Sequence, residues 1–249
     1  MDSIKLDVLA DKIKEAELVL IGIGEEWEVG LTDLVKNEKY KKLLEEIGEN
    51  NPLQPFILKE LLEDESNDEI VKRYNWYKKL ESIISNKNYF IVSLCTDGLI
   101  KRIDFKEDRV VEPCGSFSKL QCSEKCTADL YNPDDIKIPV CPHCGKLLVF
   151  NNIYAENYAE EGYTDKWQIY MKWLQGTVNR NVCIMELGVG MRFPSVIRWP
   201  FEKVAFFNQK ASFFRVHSTL YQTAEEIKDR SYGIKAEPEE FLKELYNRL

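Results

Sequence analysis

Short runs of apolar residues alternate with longer charged stretches along most of the chain. The first run covers residues 18–21 and ends at Gly22-Ile23-Gly24. Similar runs occupy residues 89–92, 182–187, 204–207 and 213–216. Short, branched apolar runs bounded by glycine are typical of strands that are buried on both faces of a parallel sheet. We therefore predict a strand at each of these runs.

The stretches between the predicted strands have the spacing of amphipathic helices. The clearest are residues 34–47, 69–84 and 167–174, and residues 238–245 predict a packed surface helix with proline in its first turn. Strands that alternate with helices imply right-handed crossovers. The predicted fold class is therefore α/β, with a Rossmann-like parallel sheet, helices on both of its faces and a small zinc-ribbon lobe.

Two segments interrupt this alternation. Residues 48–66 contain Asn50-Asn51-Pro52 and many acidic residues, and we interpret them as a surface connection between helices. Residues 119–165 contain four cysteines and many turn residues, which indicates an inserted lobe. We assign residues 1–118 and 179–249 to a Rossmann-like domain with a helical insertion at 35–85, and residues 119–178 to a small zinc-binding lobe.

Four cysteines in this lobe have the spacing of a metal site. They are Cys122, Cys126, Cys141 and Cys144, in the pattern C-x3-C-x14-C-x2-C. Two close pairs of thiolates can complete a tetrahedron around Zn²⁺, and Gly145 permits the tight turn of a zinc knuckle. Such a closed site predicts a structural zinc, with four unrelated buried cysteines as the alternative. We expect His143, which stands between two of the ligands, to face solvent.

The composition narrows the class of protein. The 249 residues are 44% hydrophobic and 31% charged, with a net charge of −8, which disfavours a general nucleic-acid binder. The chain shows no signal peptide and no apolar run of membrane-spanning length, so we expect a cytoplasmic protein without a membrane partner. Seven cysteines in that setting favour metal or thiol chemistry over disulfides, and two histidines leave little room for a histidine base.

Glycine turns follow three of the predicted strands: Gly22-Ile23-Gly24, Asp97-Gly98-Leu99 and Gly188-Val189-Gly190. Ligands of doubly wound sheets bind outside the carboxyl ends of the strands, where such turns meet. The first turn lacks the third glycine of a full G-x-G-x-x-G motif, because Trp27 stands at that position. The three turns together predict a nucleotide site, with ordinary strand-end turns as the alternative.

The order of these motifs resembles the sirtuin family. A glycine turn is followed by the Asp97-Gly98-Leu99 turn, the segment 110–115, two cysteine pairs and a Gly-x-Gly turn. Residues 186–190 and 197–202 are similar to a bacterial branch of sirtuins, part of which is associated with macrodomain proteins and ADP-ribosyl transfer. The resemblance covers residues 18–218 and implies an NAD site between a Rossmann-like domain and a zinc lobe.

Sirtuins cleave the nicotinamide–ribose bond of NAD and pass ADP-ribose to an acyl-lysine oxygen or to a protein side chain. By position, the resemblance implies that Gly22 and Gly24 approach phosphate and that Asp97 orients the nicotinamide ribose. It also implies that Gly188, Val189 and Gly190 line the pyrophosphate and adenosine side. The expected partners are NAD and a modified or target protein side chain.

The chain departs from the family pattern at several positions. Cys95 stands where sirtuins have the asparagine of the second motif, and Cys114 stands where they have a histidine. Glu25 replaces a serine and opens Glu25-Glu26-Trp27-Glu28, whose carboxylates would oppose a diphosphate. His217 falls at an adenosine-ribose position, where the sequence fits either a hydrogen bond to ribose or a packed strand end.

These departures leave three functional hypotheses. The first is a sirtuin-like protein deacylase or ADP-ribosyltransferase with Cys114, Cys95 and Asp97 as catalytic residues, because a thiolate of lowered pKa can act as a base or nucleophile. The second is a catalytically silent protein that binds NAD or ADP-ribose. The third is a zinc-ribbon interaction or nucleic-acid module, which the acidic composition disfavours.

Overall fold

The computed structural model describes residues 2–47 and 54–249 and contains a parallel sheet and a small antiparallel sheet. The strands are β1 Leu18–Ile23, β2 Asn88–Ser93, β3 Val110–Val111, β4 Gly115–Cys122, β5 Leu148–Asn152, β6 Val182–Leu187, β7 Ala211–His217 and β8 Ser231–Lys235. The parallel sheet has the order β3-β2-β1-β6-β7-β8, and β4 pairs with β5. The order reverses between β1 and β6, which defines a Rossmann-like, doubly wound sheet.

Helices cover both faces of the parallel sheet. They are α1 Ser3–Glu15, α2 Leu31–Leu34, α3 Glu38–Ile47, α4 Gln54–Leu62, α5 Asp68–Ile84, α6 Thr164–Gln175, α7 Arg198–Phe207 and α8 Pro238–Tyr246. The buried residues of α1, α5 and α8 share one hydrophobic cluster, and those of α6 and α7 share another. Alternate residues of each central strand belong to these two clusters, as the period of a strand requires. The predicted α/β architecture is confirmed.

The central strand β1 shows why the sheet forms at these residues. All six of its residues are buried, and it pairs in parallel with β2 on one side and β6 on the other. A strand that is covered by helices on both faces needs apolar residues at every position rather than at alternate ones. The continuous apolar run at residues 18–21 therefore identified it.

The prediction of a strand at residues 204–207 is wrong, because these residues form the last turn of α7. Phe201 and Ala205 face the sheet four residues apart, whereas Phe206 and Phe207 are exposed. A short apolar run has the same appearance in a buried strand and at a helix end, so periodicity alone does not separate them. The other four predicted strands are confirmed as β1, β2, β6 and β7.

The interpretation of residues 48–66 as a surface connection is also wrong in part, because α4 lies within them. Residues 48–53, which include Asn50-Asn51-Pro52, lie outside the described residues. The ring of Phe56 packs 4.9 Å from that of Phe150 in β5, and Lys59 pairs with Asp134 at 2.9 Å. Helix α4 therefore connects the helical insertion with the cysteine-containing lobe.

The small lobe is built on the β4–β5 hairpin, whose apolar side chains form a separate cluster with two of the cysteines. The aromatic residues that follow it pack onto the large sheet. The ring of Phe90 in β2 lies 5.2 Å from that of Tyr170 and 5.6 Å from that of Trp173, both in α6. This part of the aromatic stretch is therefore a packed seam between helix and sheet.

Candidate functional site

The carboxyl ends of β1, β2, β6 and β7 meet at one edge of the large sheet, beside the reversal of strand order. The turn after β1 carries Gly24, the turn after β2 carries Asp97, the turn after β6 is Gly188-Val189-Gly190, and β7 ends at His217. We call the place between these four groups the crevice. It is where doubly wound sheets bind nucleotides.

The two glycines of the first turn allow segments of the chain to approach closely. A Cβ atom on Gly22 would lie 2.5 Å from a side-chain carbon of Ile197, because the middle of β1 packs beneath the start of α7. A Cβ atom on Gly24 would lie 2.3 Å from the Cα atom of Val189. Packing accounts for both glycines, and their contact with phosphate stays a prediction.

Glu25 opens a turn of 3₁₀ helix, Glu25–Trp27, directly after β1. Its carboxylate accepts hydrogen bonds from the backbone amides of Gly190 at 2.7 Å and Arg192 at 3.1 Å. Gly190 belongs to the turn that the family resemblance assigns to the pyrophosphate. The side chain of Glu25 therefore points into the crevice and occupies donors on its β6 side.

Glu26 reaches the end of β7. Its carboxylate accepts hydrogen bonds from the hydroxyl and, at 3.1 Å, the backbone amide of Ser218, and it lies 2.9 Å from Nδ1 of His217. Burial opposes the charged form of Glu26, but the hydrogen bonds from His217 and Ser218 outweigh it and hold its pKa below the ordinary value. His217 is itself buried and is paired within the chain.

Glu28 reaches the end of β2, where its carboxylate accepts hydrogen bonds from the backbone amide of Thr96 at 2.8 Å and from its hydroxyl at 2.6 Å. It also lies 3.3 Å from the guanidinium of Arg192. That guanidinium donates at 2.6 Å to the hydroxyl of Tyr154, a residue that lies just after β5. Arg192 thus links the crevice to the lobe.

Sequence reasoning missed Arg192. It follows the glycine turn after β6 by two residues, and no local sequence pattern singles it out, because its partner Glu28 lies far away along the chain. Its guanidinium also stacks over the rings of Tyr154 and Phe193, each 5.3 Å away. An arginine held by stacking and pairing is a typical ligand of phosphate and carboxylate groups.

Asp97 is a buried carboxyl group on the β2 side of the crevice. It is 5% exposed and accepts hydrogen bonds from the amides of Val29 at 2.8 Å and Leu99 at 3.0 Å. Burial raises the pKa of Asp97 to about 7, against the effect of these hydrogen bonds. Its contacts fix the turns after β1 and β2 relative to one another.

Cys95 and Cys114 are both buried, and they belong to the hydrophobic clusters of opposite faces of the sheet. The thiol of Cys95 donates to the carbonyl of Gly24 at 3.4 Å, and burial raises its pKa well above the ordinary value. Burial also raises the pKa of Cys114 to about 12, although Arg192 opposes that effect. Both are neutral thiols in this environment, which weighs against the predicted thiolate base.

A cleft of 590 Å³ adjoins the crevice on the side of β2, between the large sheet, the lobe and the helices α3 and α4. Its polar lining includes Glu28, Thr96, Asn152 and Tyr154, and its apolar lining includes Leu44, Leu58, Phe117 and Phe150. The volume and the mixture of apolar walls with a few polar groups are typical of small-molecule sites. Glu28 and Thr96 connect this cleft with the crevice.

The four cysteines of the lobe come together as predicted. The sulfurs of Cys122, Cys126, Cys141 and Cys144 all lie within 4.8 Å of one another. The pairs Cys122–Cys144 and Cys126–Cys141 are separated by 3.4 and 3.6 Å. Zinc–sulfur bonds of about 2.3 Å in a tetrahedron require sulfurs about 3.8 Å apart, so the four thiols fit a zinc ion.

The local backbone supports metal binding by this cysteine cluster. Burial opposes ionisation of Cys122, but the amides of Cys126 and Glu124 donate to its sulfur and lower its pKa to about 7. Cys122 and Cys141 are buried, while Cys126 and Cys144 lie at the surface. Amides directed at thiolate ligands are a feature of structural zinc sites. His143 is half exposed, as predicted, and lies 2.8 Å from the carboxylate of Asp129.

Comparison with known proteins agrees with this combination of a Rossmann-like sheet and a four-cysteine lobe. No protein-family model matches the chain. The chain is 24% identical over 173 residues to a protein ADP-ribosyltransferase of Staphylococcus aureus, covering 62% of this chain and 55% of that protein. It is 27% identical over 135 residues to a probable bifunctional ADP-ribose hydrolase/ADP-ribosyltransferase of Fusarium oxysporum, covering 45% and 23%.

A third relative is the NAD-dependent histone deacetylase SIR2 of Kluyveromyces lactis, which is 25% identical over 178 residues, covering 64% of this chain and 27% of that protein. A solved sirtuin structure superimposes with a TM-score of 0.53 at 14% identity, covering 94% of this chain and 95% of that chain. The chain thus spans about half of the first relative and about a quarter of the other two. The fold is that of a sirtuin, and in sequence the chain is similar to proteins named as ADP-ribosyltransferases and to a SIR2 deacetylase.

Among the residues that the structure describes, no helix combines the length and the hydrophobicity that crossing a membrane requires.

Proposed function

We propose that this chain is an NAD-consuming transferase of the sirtuin type, which transfers ADP-ribose to a protein side chain, with a zinc ion that holds its small lobe. The observation that carries the proposal is the crevice at the reversal of strand order, which opens into the 590 Å³ cleft beneath the lobe. The names of the Staphylococcus and Fusarium relatives favour ADP-ribosyl transfer over deacylation.

The residues of the crevice offer what a dinucleotide requires. Backbone amides at Thr96, Gly190, Arg192 and Ser218 point to one edge of the sheet, and the Arg192 guanidinium lies among them. Such groups bind the diphosphate in nucleotide-binding folds. NAD would supply an activated ADP-ribosyl group, because nicotinamide leaves with the electron pair of the bond to ribose.

Two carboxylates have distinct roles in this proposal. Glu28 lines the cleft beside the crevice, so its carboxylate, once a bound dinucleotide has displaced it from Thr96, would stabilise the positive charge that develops on the ribose. Asp97 is buried on the β2 side of the crevice and would position the turns after β1 and β2. Neither needs to remove a proton before nicotinamide departs. The acceptor side chain would enter by the cleft and lose its proton to solvent.

Zinc would have a structural role, because all four ligand positions are protein thiols and none is open for substrate. The ion would join the end of β4, which carries Cys122 and is followed by Cys126, to the turn before Gly145, which carries Cys141 and Cys144. Since β4 also bonds to the turn after β2, through the Phe117 amide and the Thr96 carbonyl at 3.0 Å, the lobe and the crevice share a wall.

The first experiment measures nicotinamide release and transfer of label from NAD to protein. We expect release by the purified protein, a loss of at least tenfold in the rate with Glu28→Gln, and a smaller loss with Cys114→Ala. Cys183→Ala is the matched control, because Cys183 is equally buried but lies within β6, away from the crevice. Parallel reactions with acyl-lysine peptides test deacylation.

A catalytically silent protein that binds ADP-ribose or NAD is the second candidate. It is favoured by the neutral state of Cys95 and Cys114, which leaves no thiolate at the positions of the family asparagine and histidine. Binding of ADP-ribose by calorimetry without nicotinamide release from NAD, in the presence of a lysate and of acyl peptides, would favour this candidate. Absence of both binding and release would refute both.

A further inference from the structure

The hydrogen-bond donors of the crevice are already satisfied by the chain itself. Glu25 occupies the amides of Gly190 and Arg192, and Glu28 occupies the amide and hydroxyl of Thr96. Glu26 occupies the amide and hydroxyl of Ser218. Three carboxylates from one four-residue segment therefore engage donors at the carboxyl ends of three strands, β2, β6 and β7.

Two basic side chains of the crevice contact the same segment. The guanidinium of Arg192 lies 3.3 Å from Glu28, and Nδ1 of His217 lies 2.9 Å from Glu26. A carboxylate and a phosphate accept hydrogen bonds from the same kinds of donor, so a single set of donors serves one or the other. Two further negative charges beside three carboxylates would be strongly repelled in a partly buried site.

We propose that Glu25, Glu26 and Glu28 are an internal anion that fills the diphosphate position, so that a dinucleotide binds only when these side chains leave their donors. This inference rests on the proposed function, because it takes the crevice to be the dinucleotide site. Carboxylates that would repel a diphosphate can therefore lie beside donors that would bind a diphosphate. Without these carboxylates, six donors on Thr96, Gly190, Arg192 and Ser218 would lose the hydrogen bonds that they make within the chain.

The backbone of the segment is fixed, so the exchange would involve side chains. Trp27 is 1% exposed, and its ring packs edge-on against those of Trp76 at 5.8 Å and Tyr77 at 5.2 Å, both in α5. The amide of Glu26 also donates to the carbonyl of Gly188 at 3.2 Å. The glutamate side chains can rotate toward solvent without loss of these contacts.

The experiment measures ADP-ribose binding by calorimetry to wild type, Glu25→Ala and the double variant Glu25→Ala/Glu28→Ala. We expect at least tenfold tighter binding by the double variant than by wild type, and a smaller gain with Glu25→Ala. Adenosine, which has no phosphate, should bind all three proteins with the same affinity. An equal gain for adenosine would contradict the proposal, because the carboxylates would then obstruct the crevice in general.

Glu17→Ala is the matched control. Glu17 lies just before β1, at the opposite edge of the sheet, and accepts from the guanidinium of Arg180 at 2.9 Å and the amide of Asn181 at 3.2 Å. It has the same kind of contacts as Glu25 and the same charge. Its removal should leave the affinity for ADP-ribose unchanged.

Glu25→Gln provides a second test that preserves side-chain volume. A glutamine has one acceptor oxygen for two amides and no charge, so its affinity for ADP-ribose should lie between those of wild type and Glu25→Ala. Equal affinities for wild type and all crevice variants would overturn the internal anion while leaving the proposed function intact. Failure of every folded variant to bind ADP-ribose or NAD would refute the proposed function and the internal anion with it.

Discussion

The cysteine cluster and the crevice differ in what occupies their binding groups. In the cluster, the sulfurs of four cysteines lie within 4.8 Å of one another, in positions from which all four can bind one metal ion. In the crevice, backbone and side-chain donors converge equally well, but three glutamates of the same chain satisfy them. A converging set of ligands therefore identifies a metal site directly, whereas converging donors identify an anion site whose occupant must still be determined.

Removal of the metal tests the cysteine cluster and should have the largest effect on stability. We expect Cys122→Ser, or a chelator, to lower the free energy of unfolding by several kcal/mol, because a structural zinc contributes its binding energy to folding. Zinc content by atomic absorption and thermal denaturation are the measurements. Cys183→Ala should retain one zinc ion per chain. A purified protein without zinc, whose melting is unaffected by a chelator, would contradict the metal site.

Replacing one glycine in each region by alanine tests how tightly that region is packed. Gly24→Ala should destabilise the protein by about 3 kcal/mol, because the new Cβ would lie 2.3 Å from backbone of the turn after β6. Gly145→Ala, in the cysteine cluster, should cost roughly 1 kcal/mol, because its φ of +72° is unfavourable but the space is open. Denaturant unfolding measures both. Equal costs would show that the turns around Gly24 can separate.

The pH dependence of stability tests the environment of Asp97 beside the crevice. The pKa of Asp97 is about 7 in the folded protein and about 3.9 in an unfolded chain, so its contribution falls as the pH rises between these values. From pH 5 to pH 7, wild type should lose about 2 kcal/mol relative to Asp97→Asn, with little further change above pH 7. A constant difference between the two proteins would contradict the raised pKa.

His143→Ala should have the smallest effect of these changes. His143 is half exposed and pairs with Asp129 at the surface, so its loss should change stability by less than about 0.5 kcal/mol. Zinc content should stay at one ion per chain. Loss of zinc from this variant would mean that the histidine, rather than one of the four cysteines, is a ligand.

Sequence reasoning succeeded where a short motif determines its own geometry. The spacing of the cysteines predicted their convergence, because two tight turns bring each pair together. The apolar run of β1 predicted a buried parallel strand, because few other environments accept such a run. In both cases the residues that show the sequence pattern are the same residues that form the metal site or the strand.

Reasoning from sequence failed where partners come from distant parts of the chain. Arg192 contacts Glu28 and Tyr154, and no local pattern predicts either contact. The close approach of the Ile197 side chain to Gly22 was likewise not predicted, because Ile197 lies far along the chain, and the contact of Gly22 with phosphate stays a prediction. The end of α7 was predicted as a strand because its short apolar run does not show that the residues around it pack as a helix against the sheet.

The tight packing of Trp27 against α5 has a consequence for the rate at which the crevice exchanges occupants. Rotamer changes of partly exposed side chains take picoseconds to nanoseconds, whereas opening of a loop or local unfolding takes microseconds or longer. Because the backbone of the glutamate segment is held in place, the carboxylates would leave their donors by fast rotamer changes rather than by slow loop opening. Nucleotide association would then meet no slow opening step, and competition from the glutamates would lower the apparent association rate in proportion to the small fraction of protein whose donors are free.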